Sequence, residues 1–143
     1  MEFQNVGNVM HLMMEAILMN KIKALIWGRE FDMNITYDCY NGEELLDSQK
    51  DAVNAFVDAD KAIEESLDKI KEYCLSMNQE EIGSDTIDNI FKYVVPKYLY
   101  VSREDEKHVV SIMCNYKFDQ ENGIAVVFEN EKLTKIGKQD IIL

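Results

Sequence analysis

Proline occurs once in this chain, at Pro96, tryptophan once, at Trp27, histidine twice and glycine six times among 143 residues. With so few breakers the chain carries no Pro- or Gly-rich linker and no low-complexity tract, so a disordered or fibrous class is not expected. The glycines are scattered, which excludes a glycine-rich loop cradling a phosphate. His11 and His108 belong to no metal-binding spacing, and neither a metal nor a cofactor is expected. Cations are scarce as well. Fifteen Lys plus Arg stand against twenty-seven Asp plus Glu, a formal charge of −12. That field repels phosphate backbones and anionic bilayers, and no basic stripe in the sequence interrupts it, so nucleic acid and membrane surfaces are not expected as partners.

Cysteine pairs are also missing. Cys39, Cys74 and Cys114 are odd in number, far apart and form no C-x-x-C, which argues against disulfide or metal chemistry and fits a reducing cytoplasm. Cys39 and Cys114 fall on the apolar phase of alternating segments, where a thiol behaves as a small hydrophobe. No long apolar run exists either. The Met-rich "VGNVMHLMMEAILMNKIKALIW" is broken by Glu15, Lys21 and Lys23, far short of the roughly 20 apolar residues a bilayer span needs, and no basic region precedes it as in a signal peptide.

What is present is a core. Apolar residues make up 47% of the chain, enough for one globular domain over residues 1–143. Asn8 can cap a short amphipathic helix over 8–19 with Val9, Leu12, Met13, Ala16 and Ile17 on one face. The period then changes to two. Ile22, Ala24 and Ile26 alternate, "GRE" supplies a turn, and Phe31, Met33, Ile35, Tyr37 and Cys39 alternate with polar residues through 31–40, an antiparallel hairpin with one wet face. Asn41-Gly42 ends it. The stretch from Leu45 to Asn78 reads as one long helix: Ser48 and Asp51 approximate a capping box, and Ala52, Phe56, Ala59, Ile63, Leu67, Ile70 and Cys74 form one stripe. Its opposite face carries Asp58, Lys61, Glu65, Asp68, Lys69 and Glu72. After a linker "NQEEIG", Ser84 is expected to cap a helix over 85–94 that Pro96 must end. Four short strands follow, at Tyr98–Val101, Val110–Tyr116, Ile124–Phe128 and Leu133–Ile136. The order predicts an α+β fold, with an antiparallel sheet made of an N-terminal hairpin and a C-terminal meander packed against one long and one or two short helices.

The acidic "DQENG" could be a site or a turn. Asp119, Glu121 and Asn122 are turn formers, Gly123 supplies positive φ, and the spacing fails the EF-hand pattern, so the plain turn is expected. No G-x-S-x-G elbow occurs and no cysteine has a cationic neighbour in sequence. A single Trp beside Gly28 is expected to be buried. Tyr40, Tyr93, Tyr98 and Tyr100 are too many to face the core together, and tyrosines among acids make a protein-binding surface.

The segment Phe118-Asp119-Gln120-Glu121-Asn122-Gly123, followed by "IAVVFENEKLTKIG" and "QDIIL", resembles a group of uncharacterised bacterial domains of unknown function with a W-D-x-E-H-G motif near the C-terminus. The resemblance runs back through "PKYLYVS" to "SQKDAVNAF", where Gln49 and Phe56 match, and covers about two thirds of the chain. Phe118 stands in place of the Trp and Asn122 in place of the His, so a role resting on that His does not carry over. The resemblance implies an α+β fold and, from the occurrence of such domains near polymorphic-toxin genes, an immunity role.

These observations favour a non-enzymatic cytoplasmic protein that binds a basic partner such as a toxin domain. The candidate binding residues are Asp119, Glu121, Asn122, Tyr98, Tyr100, Glu65, Asp68 and Glu72. Two alternatives remain at this level. One is an enzyme whose Asp119, Glu121 and His108 converge only in the fold, and the other is a domain that self-associates into a homodimer through meander edges.

Overall fold

A computed structural model describes residues 21–39 and 42–143. The helix expected over 8–19 lies outside the described residues. Six strands form one sheet in chain order: β1 (Lys21–Ile26), β2 (Arg29–Tyr37), β3 (Val94–Val101), β4 (Val109–Tyr116), β5 (Ile124–Glu129) and β6 (Lys132–Gly137). Two helices, α1 (Asp47–Val57) and α2 (Asp60–Ile82), connect β2 to β3 and pack on one face. The fold is α+β, a hairpin followed by a meander, as the periodicities require.

Four neighbouring pairs are antiparallel, but β2 and β3 are parallel, with Asn34 beside Tyr98 and Tyr37 beside Val101. Parallel neighbours need a long crossover, and α1 with α2 supplies it. The clean alternation of β2 survives this pairing because only one face of the strand is covered: Met33 and Ile35 are buried toward the helices while Asp32, Asn34 and Thr36 are exposed.

The β1–β2 turn is two residues, Trp27 and Gly28, with φ of 51° and 85°, rather than "GRE". Positive φ at both central positions is the turn geometry that matches strand twist. A Trp there has an unfavourable backbone, and burial compensates. Trp27 is 5% exposed, its ring lies 6.1 Å from that of Phe91, and its Nε1 donates to Ser66 Oγ on α2 at 2.9 Å.

The single long helix is in fact two. The chain breaks at Asp58–Ala59, where the amides of Asp58 and Ala59 donate to Ala55 and Phe56 in a tightened last turn. No Gly or Pro marks the break, and the apolar stripe keeps its phase across it, so periodicity alone reads straight through. The cap also differs from expectation. Leu46 rather than Ser48 precedes the first turn, and Gln49 Oε1 accepts from the Leu46 amide at 3.0 Å, while Ser48 Oγ turns away to donate to the Glu104 carbonyl. "NQEEIG" is a kink rather than a linker: Asn78 leaves helical geometry at φ −139° and ψ 39°, the helix resumes to Ile82, and Gly83 closes it at φ 77°. No helix forms over 85–94. Ser84 Oγ accepts from the Thr86 amide, Asn89 Oδ1 accepts from the Phe91 amide to open a 3-10 turn at Ile90–Lys92, and β3 begins at Val94. Side-chain acceptors offer that backbone turns instead of a helix. Pro96 sits inside β3, at the irregularity between Pro96 and Tyr98, a position where a missing donor is tolerated.

The main core lies between sheet and helices, around Phe56, Ile63, Ile70, Leu99, Ile112, Ile124 and Phe128, with Phe56 and Phe128 edge to face at 5.4 Å. The other face of the sheet holds a smaller cluster, Val109, Met113, Ala125 and Val127, against which Tyr98, Tyr100 and Ile142 pack.

Candidate functional site

The "DQENG" turn links β4 to β5 and is held from within. Asp119 Oδ1 accepts from the Asn122 amide at 3.2 Å, both carboxylate oxygens accept from Asn122 Nδ2 at 3.1 Å, and the Gly123 amide donates to the Asp119 carbonyl at 2.9 Å. The C-terminal segment closes over it. The Gln139 amide donates to the Asn122 carbonyl at 3.1 Å, and Gln139 Nε2 reaches the Cys114 carbonyl at 3.1 Å. Gly123 has φ of 58°, and a Cβ there would lie 2.6 Å from the Cys114 carbonyl oxygen, so only glycine fits. Asp119 and Asn122 thus serve as turn-formers that dock the chain end, while Gln120 and Glu121 are exposed to solvent.

His108 is at the opposite end of β4, a strand of 8 residues. At a rise of roughly 3.4 Å per residue, that separates it from Asp119 by more than roughly 25 Å. Its Nδ1 lies 2.7 Å from Glu131 Oε2 in the β5–β6 turn. The fold does not bring Asp119, Glu121 and His108 together.

The eight candidate binding residues fall into three places. Asp119, Glu121 and Asn122 are in the turn. Tyr98 and Tyr100 are half-buried on the sheet face away from the helices. Glu65, Asp68 and Glu72 are exposed along the outer side of α2, with Glu72 3.7 Å from Lys69 Nζ. The helical layer is where charge concentrates. Residues 47–82 contain ten acids and four lysines, a net −6 of the whole chain's −12, and all ten acids are exposed.

Sequence reasoning missed a polar cluster at the C-terminal ends of the parallel strands. Gln49 is 1% exposed, and its Nε2 donates to the carbonyls of Asp38 at 3.0 Å and Val101 at 3.4 Å, tying the ends of β2 and β3 to α1. Arg103 Nη1 donates to Gln49 Oε1, to the Glu44 carbonyl and toward Cys39 Sγ at 3.6 Å, and Nη2 pairs with Glu43 at 3.8 Å. A glutamine on the apolar side of a helix was the available signal. Cys39 is half-buried here, whereas Cys74 and Cys114 are in the core, where burial pushes the Cys74 thiol up to about 11 and the Cys114 thiol higher still.

Among the described residues no group of three His, Cys, Asp or Glu side chains could hold a metal ion, and no helix is long and apolar enough to cross a membrane. A family model described as a domain of unknown function, DUF6985, matches residues 15–143. The chain belongs to that family. The match takes in all six strands and both helices, well beyond the F-D-Q-E-N-G segment. No curated protein and no solved structure matches the chain significantly.

Proposed function

We propose that this DUF6985 domain is a non-enzymatic binding protein of the bacterial cytoplasm that engages a basic protein through the outer face of its helical layer, in the manner of an immunity protein neutralising a toxin domain. The observation that carries the reading is the exposure of all ten acids on α1, α2 and their junction, half the molecule's net charge on one layer. Such a layer raises encounter rates with a basic surface and repels acidic ones, so its effect falls mainly on association and weakens as salt screens it. Glu65, Asp68 and Glu72 line up along two turns of α2 and face outward together. The carboxylate and tyrosines elsewhere do not share that surface: Asp119 is engaged by Asn122, and Tyr98 and Tyr100 lie on the other side of the sheet.

Co-expression with the gene next to its own tests this, reading growth and affinity purification at low and high salt. Co-purification that weakens with salt, together with rescued growth, is the expected result. A neighbour that neither binds nor harms growth would overturn the immunity role.

A further inference from the structure

β6 is the last strand of the described sheet, and no strand among the described residues lies beyond it. α2 overhangs its outer side. Lys69, Glu72, Tyr73 and Ser76 face Leu133–Ile136 across an open groove of about 540 Å³. The register, with one extra residue at Thr134 between the pairs Val127–Lys135 and Phe128–Leu133, sorts the side chains of β6 between the two faces: Leu133 and Ile136 stand opposite Phe128 and Val126 on the helix side, Lys132 and Lys135 opposite Glu129 and Val127 on the other. From Lys132 to Lys138 the chain has three lysines and no acid, a basic strip in a molecule of −12, and among the described residues none of the three is held in an ion pair.

We propose that this edge accepts an extended acidic segment of a partner protein as a seventh strand. Main-chain hydrogen bonds to an unpaired edge supply affinity, and alternate side chains supply specificity. Here the alternation is dictated by the two faces. Residues of the incoming strand that point toward α2 meet Leu133, Ile136 and the half-buried Tyr73, and must be apolar. Those between them meet Lys132 and Lys135 across the strand pair, where opposite charges stabilise and like charges do not. A second copy of β6 fails that requirement, because antiparallel pairing of the edge with itself sets lysine against lysine. Glu72, which lines the groove, pairs with Lys69 at 3.7 Å, Glu129, opposite Lys132, pairs with Lys107 at 3.1 Å, and acids farther away on the helices are screened beyond a Debye length of about 8 Å. Glu72 borders both this groove and the outer face of α2, but the edge selects ligands of the opposite charge through Lys132 and Lys135, so its test is independent of the proposed function.

Fluorescence anisotropy with two labelled ten-residue peptides, one alternating valine with glutamate and one alternating valine with lysine, tests the proposal. The glutamate peptide is expected to bind about ten-fold or more tighter than the lysine peptide, a difference of about 1.4 kcal/mol. Its binding should weaken with salt and shift the amide resonances of residues 132–137. The exposed K132E/K135E variant, shown to be folded by a cooperative melting transition, is expected to reverse the preference. Equal affinity for the two peptides, binding of neither, resonance shifts confined to other elements, or a dimer of the free protein that K132E/K135E dissolves would each overturn it.

Discussion

Trp27 holds a backbone conformation that L-residues pay for, and what keeps it there is the ring's burial and one hydrogen bond to Ser66. The hydroxyl of Ser66 in turn donates to the Ile63 carbonyl, so the indole is anchored to the helix backbone through a single residue. Trp27→Phe keeps most of the apolar burial and deletes the donor. The expected loss is about 1–3 kcal/mol, read from urea denaturation. A second residue-scale consequence concerns pH. Burial raises Tyr37 from 10.0 to about 12 and Cys74 from 9.0 to about 11, and burial also raises Tyr73. These groups are neutral when protonated, so the folded state holds their protons more tightly than the unfolded chain does. Their contribution to stability is complete below pH 9 and is lost as pH rises from about 9 toward 12, through the unfolded and then the folded values. Stability measured by denaturation should therefore fall steeply across that alkaline range, and Cys74→Ala should remove its share of the slope between about pH 9 and 11.

At the scale of elements, the strands were the legible part. Alternation placed Phe31, Met33, Ile35 and Tyr37 on one face and identified β4, β5 and β6, because a half-covered strand writes its period into the sequence. The helical region was legible as helix and illegible as two helices, since the break at Asp58–Ala59 uses neither glycine nor proline. The segment before β3 misled because Ser84, Asp85 and Asn89 are the residues of both helix caps and turns, and here the turns win. The parallel pairing of β2 with β3 leaves no local mark at all, since it depends on where the crossover deposits the chain. Of the candidate site, the turn character of "DQENG" was readable from Gly123, but its role as a dock for Gln139 requires contacts 16 residues away in sequence. Gly123→Ala is expected to cost more than about 1 kcal/mol, from the positive φ and the clash with Cys114, and to lower the melting temperature. Gln49→Leu should cost about 2–3 kcal/mol in the same assay, because it leaves the Leu46 amide and the Asp38 carbonyl without the partners they have now.

The whole molecule presents two charged surfaces of opposite sign: an acidic helical layer and a short lysine-bearing edge. Net charge could be counted from the sequence, but its segregation could not, because it follows from which face each helix turns outward and from the fold leaving β6 at the margin. The turn at Asp119 lies beside the C-terminal part of α2, where Tyr116 Oη donates to Asn78 Oδ1 at 2.6 Å, whereas Glu65, Asp68 and Glu72 lie nearer the start of that helix. The most direct test of the account is to compare the wild-type chain with the E65K/D68K/E72K variant in the co-expression and capture experiment. All three positions are exposed, so melting temperatures are expected to agree closely. The account predicts that the variant loses salt-sensitive capture of the basic partner and the associated growth rescue while staying folded. Undiminished capture and rescue by the folded variant would contradict it.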